Sequence, residues 1–155
     1  MNKKQLLRQL DKRWTEFNES YVGLSHSQMT KNGVTGDWSV KDIIAHVTWW
    51  EEEALKHLPL INNGVRPPTY AKVYGGIDAF NALMTEQKRW LSVSEVLTQR
   101  DETHQRLVVY IERAPDEQFS RETRFRRRLR LDTYSHYPKH AKAIIAWREK
   151  SAADV

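Results

Sequence analysis

His136 and His140 stand four residues apart. On a helix that spacing sends both rings off one face about a turn apart, where two imidazoles can reach a single metal ion from a rigid element. Alone the pair is weak, since a chain with six histidines produces such spacings by chance. His46 strengthens it. It falls on or beside the apolar stripe of Ile43, Val47 and Trp50, and a histidine turned toward a core must be hydrogen-bonded or liganded. Three neutral imidazoles on one divalent ion leave positions open for water or substrate, as catalytic sites do and closed structural sites do not. Two plainer readings stand beside this one: His46 as a core histidine bonded to a carbonyl, and the pair as a solvated helix face.

Other residues could serve the same chemistry. Asp42 and Asp132 each precede a candidate ligand by four positions and could orient its ring. For Asp42 a helix-capping role is simpler, and Asp132 could equally cap the last helix. Tyr134 and Tyr137 flank His136 and could donate a proton or bind substrate, or simply pack. Trp38, Trp49 and Trp50 could wall an apolar pocket, although tryptophan at helical spacing is more often core. Arg126 and Arg128 could hold an anionic group of the substrate. His104 reads as a packed, bonded histidine, and His26 and His57 as surface residues beside loops. The chain has no cysteine, which excludes disulfides, thiolate nucleophiles and cysteine-ligated zinc. Any thiol chemistry must borrow a small external thiol. Imidazole accepts zinc, nickel or iron, so ligand type does not choose the metal.

The elements that must position these residues are helical. Leu6, Leu10, Trp14, Phe17, Tyr21 and Leu24 form one stripe, predicting a helix over 2–24. Residues 25–38 read as a loop. Ser39, with Asp42 three positions on, opens a second helix through a shortened capping box, and Pro59 should stop it near His57. Residues 59–76, with three prolines and three glycines, read as the longest irregular connection and a candidate lid. Helical spacing resumes through Phe80, Leu83, Met84 and Trp90. Ser92 with Glu95 forms a full capping box for a helix ending near Ala114-Pro115, and a last helix runs through Ile144, Ile145 and Trp147. Pro138 is harmless only in that helix's first turn. The expectation is an all-α single domain over 1–155: a four-helix bundle with long crossover loops and short extra helices.

Composition fits a compact chain of 155 residues with 39% hydrophobic and 29% charged residues. No run of 18 apolar residues marks a membrane span, and the amphipathic N-terminus lacks a signal peptide's continuous apolar core. A cytoplasmic protein is expected. The net charge of +5 is concentrated in residues 121–130, which hold six arginines and one glutamate. Such a run can neutralise phosphates, but its only aromatic is Phe125 and no nucleic-acid motif accompanies it. A solvated face is expected, and nucleic acid is not the expected partner.

Four segments carry a family resemblance: Gly36-Asp37 followed by WSVKDIIAHVTWWE (38–51), IDAFNA (77–82), LSVSEVL (91–97) with His104, and DTYSHYPKHAKAIIAWRE (132–149). They resemble the DinB-like superfamily, most closely its ClbS/DfsB group, in order over nearly the whole chain. The resemblance implies an up-and-down-type helical bundle with a histidine-triad metal site on His46, His136 and His140. It also implies activities that range over thiol S-transfer, hydrolysis and self-protection against reactive compounds. The expectation drawn from it is a metal-dependent transferase or hydrolase acting on a small reactive compound. The alternative is a non-catalytic bundle that sequesters such a compound; a homodimer is left open. The arginine run departs from the family pattern and leaves the substrate class undecided.

Overall fold

The computed structural model describes residues 1–153. Four long helices make the bundle: α1 (Lys3–Glu19), α3 (Val40–Asn62), α6 (Val93–Arg113) and α8 (Tyr137–Ala153). Four shorter ones fill the connections: α2 (His26–Met29), α4 (Tyr70–Tyr74), α5 (Ile77–Lys88) and α7 (Arg124–Asp132), with a 3-10 turn at Asp116–Gln118. Helix α3 is the central member. It packs on α6, α7 and α5, while α8 lies mainly against α1. Among the described residues no β-strand occurs beyond an isolated Thr35–Trp38 bridge, and no helix is long and apolar enough to cross a membrane.

The helical stripes meet in one core. Leu6, Leu10 and Phe17 of α1 pack with Ile43, Ile44, Val47, Ala54 and Leu58 of α3, Leu107 and Ile111 of α6, and Ile144 of α8. Each such large aliphatic or aromatic side chain contributes about 1.5–3 kcal/mol when fully removed from water.

Local chemistry shifts several boundaries. Helix α1 ends at Glu19 rather than near residue 24, capped through Ser20, although Tyr21 still reaches the core. The segment after it contains α2, started by a reciprocal Ser25–Gln28 capping box. The Ser39–Asp42 box is also reciprocal, whereas Ser92 caps the Glu95 N–H without the return bond to its own backbone. Helix α3 passes through Pro59 and ends at Asn62. A proline in the last turn forgoes one backbone bond, and buried Leu58 keeps that turn on the core. His57 is therefore inside the helix and buried, not on the surface. Trp90 follows α5 instead of extending it and is 85% exposed.

The arginine run forms α7, capped by Thr123 and anchored by buried Phe125 and Leu129 one turn apart. It is not one solvated strip. Arg126 donates to the Phe119 carbonyl at 3.3 Å, and Arg130 grips both oxygens of Glu122 at 2.7 and 2.8 Å. Arg128 donates to Asp132 at 2.6 Å and to the Tyr70 hydroxyl at 2.8 Å. Only Arg121, Arg124 and Arg127 are exposed.

Candidate metal centre

Two helix starts bring the three histidines together. The Ser39–Asp42 box fixes the first turn of α3, and His46 sits on the next turn, facing inward and 5% exposed. At the other start, the His136 and Tyr137 N–H groups both bond the Thr133 carbonyl, at 2.8 and 2.9 Å. This places His136 immediately before α8. Pro138 falls in the first turn, where its missing N–H is one the helix would leave free anyway. His140 follows one turn in, 5% exposed, while His136 is half-buried.

The three Nε2 atoms converge. His136 Nε2 lies 3.0 Å from that of His46 and 2.9 Å from that of His140, and each residue offers one ligand atom within 4.8 Å of the others. Nitrogens held about 2.1 Å from one ion lie about 3.0 Å apart when they meet at a right angle. The separations suit a shared cation with other positions open. Among the described residues this is the only set of three His, Cys, Asp or Glu side chains so placed.

Burial holds all three rings neutral, as a metal requires. Desolvation first, then the mutual repulsion of the ring charges and Lys139, drives His46 far below the ordinary histidine value of 6.5. Burial, then the charges of His140 and Lys139, lower His136 to about 3, and burial with Lys139 lowers His140 to about 4. The Nδ1 atoms of His46 and His136 are buried without a hydrogen bond of standard geometry, although the Asp132 backbone favours a proton on His136. With no ion, three nitrogens crowd one point while the Nδ1 of His46 has no partner at all. A metal relieves the crowding, and the residues fit one.

These shifts set an acid sensitivity. Because the folded-state values lie below 6.5, the stability these rings contribute is present above pH 6.5 and is lost as pH falls toward 4. Each ring that stays neutral in the folded state weakens it by about 1.4 kcal/mol per pH unit over that window. His57, lowered to about 4 by burial and Arg128, adds to the trend. Asp132 works in the opposite sense: burial raises it from 3.8 to about 6, so its contribution is present below 3.8 and lost as pH rises through 6. One carboxyl against four imidazoles leaves net acid destabilisation. The urea midpoint of the metal-free protein should therefore drop between pH 6.5 and 4; a flat profile would refute this account of the rings.

Trp38 and Trp49 wall the triad. Their rings lie 4.6 and 5.0 Å from that of His46, and Trp38 is half-buried. Trp50 points elsewhere, packing on Tyr70 and Phe80 at 5.2 and 5.3 Å. Asn81 Oδ1 accepts both Trp49 and Trp50 indole N–H groups, at 3.2 and 3.0 Å. A polar groove of about 880 Å³ runs past Trp38, Asp42 and Asn81. Asp42 binds the Ser39 N–H at 2.9 Å and its hydroxyl at 3.0 Å, so it caps α3 and does not orient His46.

Several expected site residues are buried or bonded elsewhere. Tyr137 is fully buried and donates its hydroxyl to Glu51, which leaves it no proton to offer a substrate at the triad. Tyr134 is buried and makes no side-chain hydrogen bond among the described residues. Asp132 ends α7 and pairs with Arg128, so it neither caps α8 nor reaches an imidazole with its carboxylate. Arg128 also belongs to a buried network in which the Tyr70 hydroxyl donates to Glu53 at 3.0 Å. That network fastens α4 of the long connection onto α3 and α7. Arg126 and Arg128 make no hydrogen bond to the three histidines.

Glu51 is the residue sequence reasoning missed. It is 0% exposed on α3, and one of its oxygens accepts from both Tyr137 of α8 and His104 of α6, the latter at 2.7 Å. This carboxylate ties together three helices, two of which carry the triad. The signal was present: Glu51 lies eight positions after Ile43 and four after Val47, in line with the apolar stripe. His104 is packed and bonded as expected, with its ring stacked 3.8 Å from Trp14.

The family model of the DinB superfamily matches residues 9–150. Among solved structures, the chain is similar to DfsB, described as a sibling lethal factor precursor, with 13% identity over 97% of each chain and a TM-score of 0.82. It is similar to the colibactin self-resistance protein ClbS, solved in complex with a double-stranded DNA, with 16% identity, 92% and 93% of the two chains covered and a TM-score of 0.76. An uncharacterized protein from Clostridium difficile 630 gives 16% identity over 96% of each chain and a TM-score of 0.80. No curated protein matches the sequence. At these identities the structural likeness speaks for the fold.

Proposed function

The chain belongs to the DinB superfamily, and from that premise we propose that it is a metal-dependent enzyme, a hydrolase or thiol S-transferase, acting on a small reactive compound. The observation that carries the reading is the convergence of three neutral imidazole nitrogens from α3 and the start of α8, with His136 Nε2 2.9–3.0 Å from the other two. His46, His136 and His140 would hold the ion. A divalent cation there supplies Lewis acidity, lowering the pKa of a water or thiol and polarising an electrophile.

The protein's own residues do the rest. Burial keeps the three rings unprotonated at neutral pH, so protons do not compete for the ligand nitrogens. Trp38 and Trp49 exclude water from one side of the site, and half-buried Trp38 offers an aromatic face to an apolar part of the substrate. Asn81 locks the Trp49 indole in that pose. The half-buried side of His136 is the approach left to substrate. With no cysteine in the chain, the nucleophile is water or an external thiol.

Metal content after purification without an affinity tag tests this directly. Wild type should carry about one equivalent of a divalent ion, and His46→Ala, His136→Ala and His140→Ala less than about a tenth of that, since a two-imidazole site holds metal far more weakly. Variants that retain full metal would overturn the site.

A second reading is a self-protection module that binds a reactive compound without turnover. The overall likeness to ClbS and DfsB favours it, as does the burial of His46 and His140. Protection in cells that survives all three histidine substitutions would select it over the enzyme.

A further inference from the structure

The Glu51–His104 pair leads away from the triad to a separate cavity. A groove of about 980 Å³ lies between α1, α6 and the 3-10 turn, at the upper end of the range for small-molecule sites. Leu7, Leu10, Val108 and Phe119 form its walls and His104 its floor. None of the three candidate metal ligands touches it.

The floor is chemically specific. His104 Nδ1 is committed to Glu51 at 2.7 Å, so in the neutral ring Nδ1 carries the proton and Nε2 keeps a lone pair. Nε2 makes no hydrogen bond within the protein and is not sealed off, and the ring is 12% exposed. The lone pair is therefore open to the groove. The cost of this arrangement is paid deep in the core. Glu51 is fully buried, and its Oε1 has no partner at all, an expensive state that an apolar residue would avoid. A leucine at 51 and a phenylalanine at 104 would pack against Trp14 more cheaply, but would remove the imidazole acceptor that lies among the apolar walls. Around these walls Lys3, Lys4 and Arg8 are matched by Asp11, Glu112 and Asp116, so the opening has no net formal charge and favours neither anions nor cations.

We infer that this groove is a second ligand site, for a neutral, apolar molecule carrying one O–H or N–H donor, which lies against the aliphatic walls and donates to His104 Nε2. Glu51 holds the imidazole in the tautomer that accepts. The site is independent of the metal reading.

The probe is p-cresol, with toluene as its twin lacking the hydroxyl, titrated into the full chain and followed by amide chemical shifts. p-Cresol should bind saturably, shift resonances around Leu7, Val108 and Phe119, and bind about tenfold more tightly than toluene, the worth of one good hydrogen bond. His104→Phe should bring the two ligands to equal affinity. Val108→Trp, which fills the groove from a half-buried wall position and breaks no hydrogen bond, should abolish binding of both and keeps the test valid if His104→Phe misfolds. His136→Ala should bind p-cresol as wild type does, which separates failure here from failure of the metal site. Equal affinity of the two probes for wild type, no shifts at any soluble concentration, or unchanged binding in Val108→Trp would overturn the inference. So would a sedimenting dimer of wild type that Val108→Trp converts to monomer, because a second copy would then be the occupant.

Discussion

Replacing His46 with leucine is expected to make the metal-free protein more stable and the metal-loaded protein less so. Without an ion, His46 brings a buried Nδ1 with no partner and an Nε2 crowded against that of His136 at 3.0 Å. An unsatisfied buried polar atom costs about 1–3 kcal/mol, and leucine fills a similar volume between Trp38 and Trp49 with nothing to satisfy. A gain of about 1–2 kcal/mol follows, or about 3–6 °C in melting temperature for a chain of this size. The sign reverses with metal. Wild type should gain about 2.7 kcal/mol at a free ion concentration of one hundred times its dissociation constant, and His46→Leu essentially nothing. Calorimetry with and without added zinc, nickel or iron reads both effects. A variant that melts lower than wild type without metal and still rises with it would show that His46 is a structural histidine.

Glu51→Ala is expected to destabilise the fold by about 3–5 kcal/mol, the usual result of removing one member of a fully buried polar cluster. Tyr137 loses its only hydroxyl partner, His104 loses its Nδ1 partner, and a cavity opens beside Trp14. The damage is aimed at the site. Helix α8 lies mainly against α1 and has little direct packing on α3, so the Tyr137–Glu51 bond is a principal tie between the helices that carry His46 and His140. Metal affinity should fall at least about tenfold, as it does when residues supporting a ligand set are removed. Glu51→Gln keeps the shape and one acceptor oxygen and should lose only about 1–2 kcal/mol. Urea unfolding with parallel metal titration decides the matter. If Glu51→Ala unfolds within 1 kcal/mol of wild type, the three-helix tie is not what holds the bundle in register.

Much of this molecule was legible in one dimension because helices are local. Period and caps depend on residues within four positions of each other, so α1, α3, α6 and α8 follow from apolar stripes and from Ser39 and Ser92. Local reading failed where a tertiary contact overruled a local signal. Pro59 breaks helices in isolation, but Leu58 on the core carries α3 past it and takes His57 inside. The arginine run looks like a solvated face, yet Phe125 and Leu129 anchor it as α7 and bury the bonds of Arg128. Trp90 fits the spacing of α5 but lies beyond its end.

The candidate site divides the same way. Spacing alone placed His136 and His140 on one side of a helix start and His46 beside an apolar stripe, since those are relations along a single element. Whether rings from α3 and the start of α8 meet is a relation between positions 90 apart, set by how the helices pack, and only the folded chain brings the Nε2 atoms of His46 and His136 to 3.0 Å. The roles of Tyr137, Arg128 and Glu51 were decided there too. A hydroxyl beside a metal ligand in sequence points into the core because successive side chains on a helix leave about 100° apart, and a carboxylate becomes a three-helix tie only when donors from α6 and α8 arrive at the same oxygen.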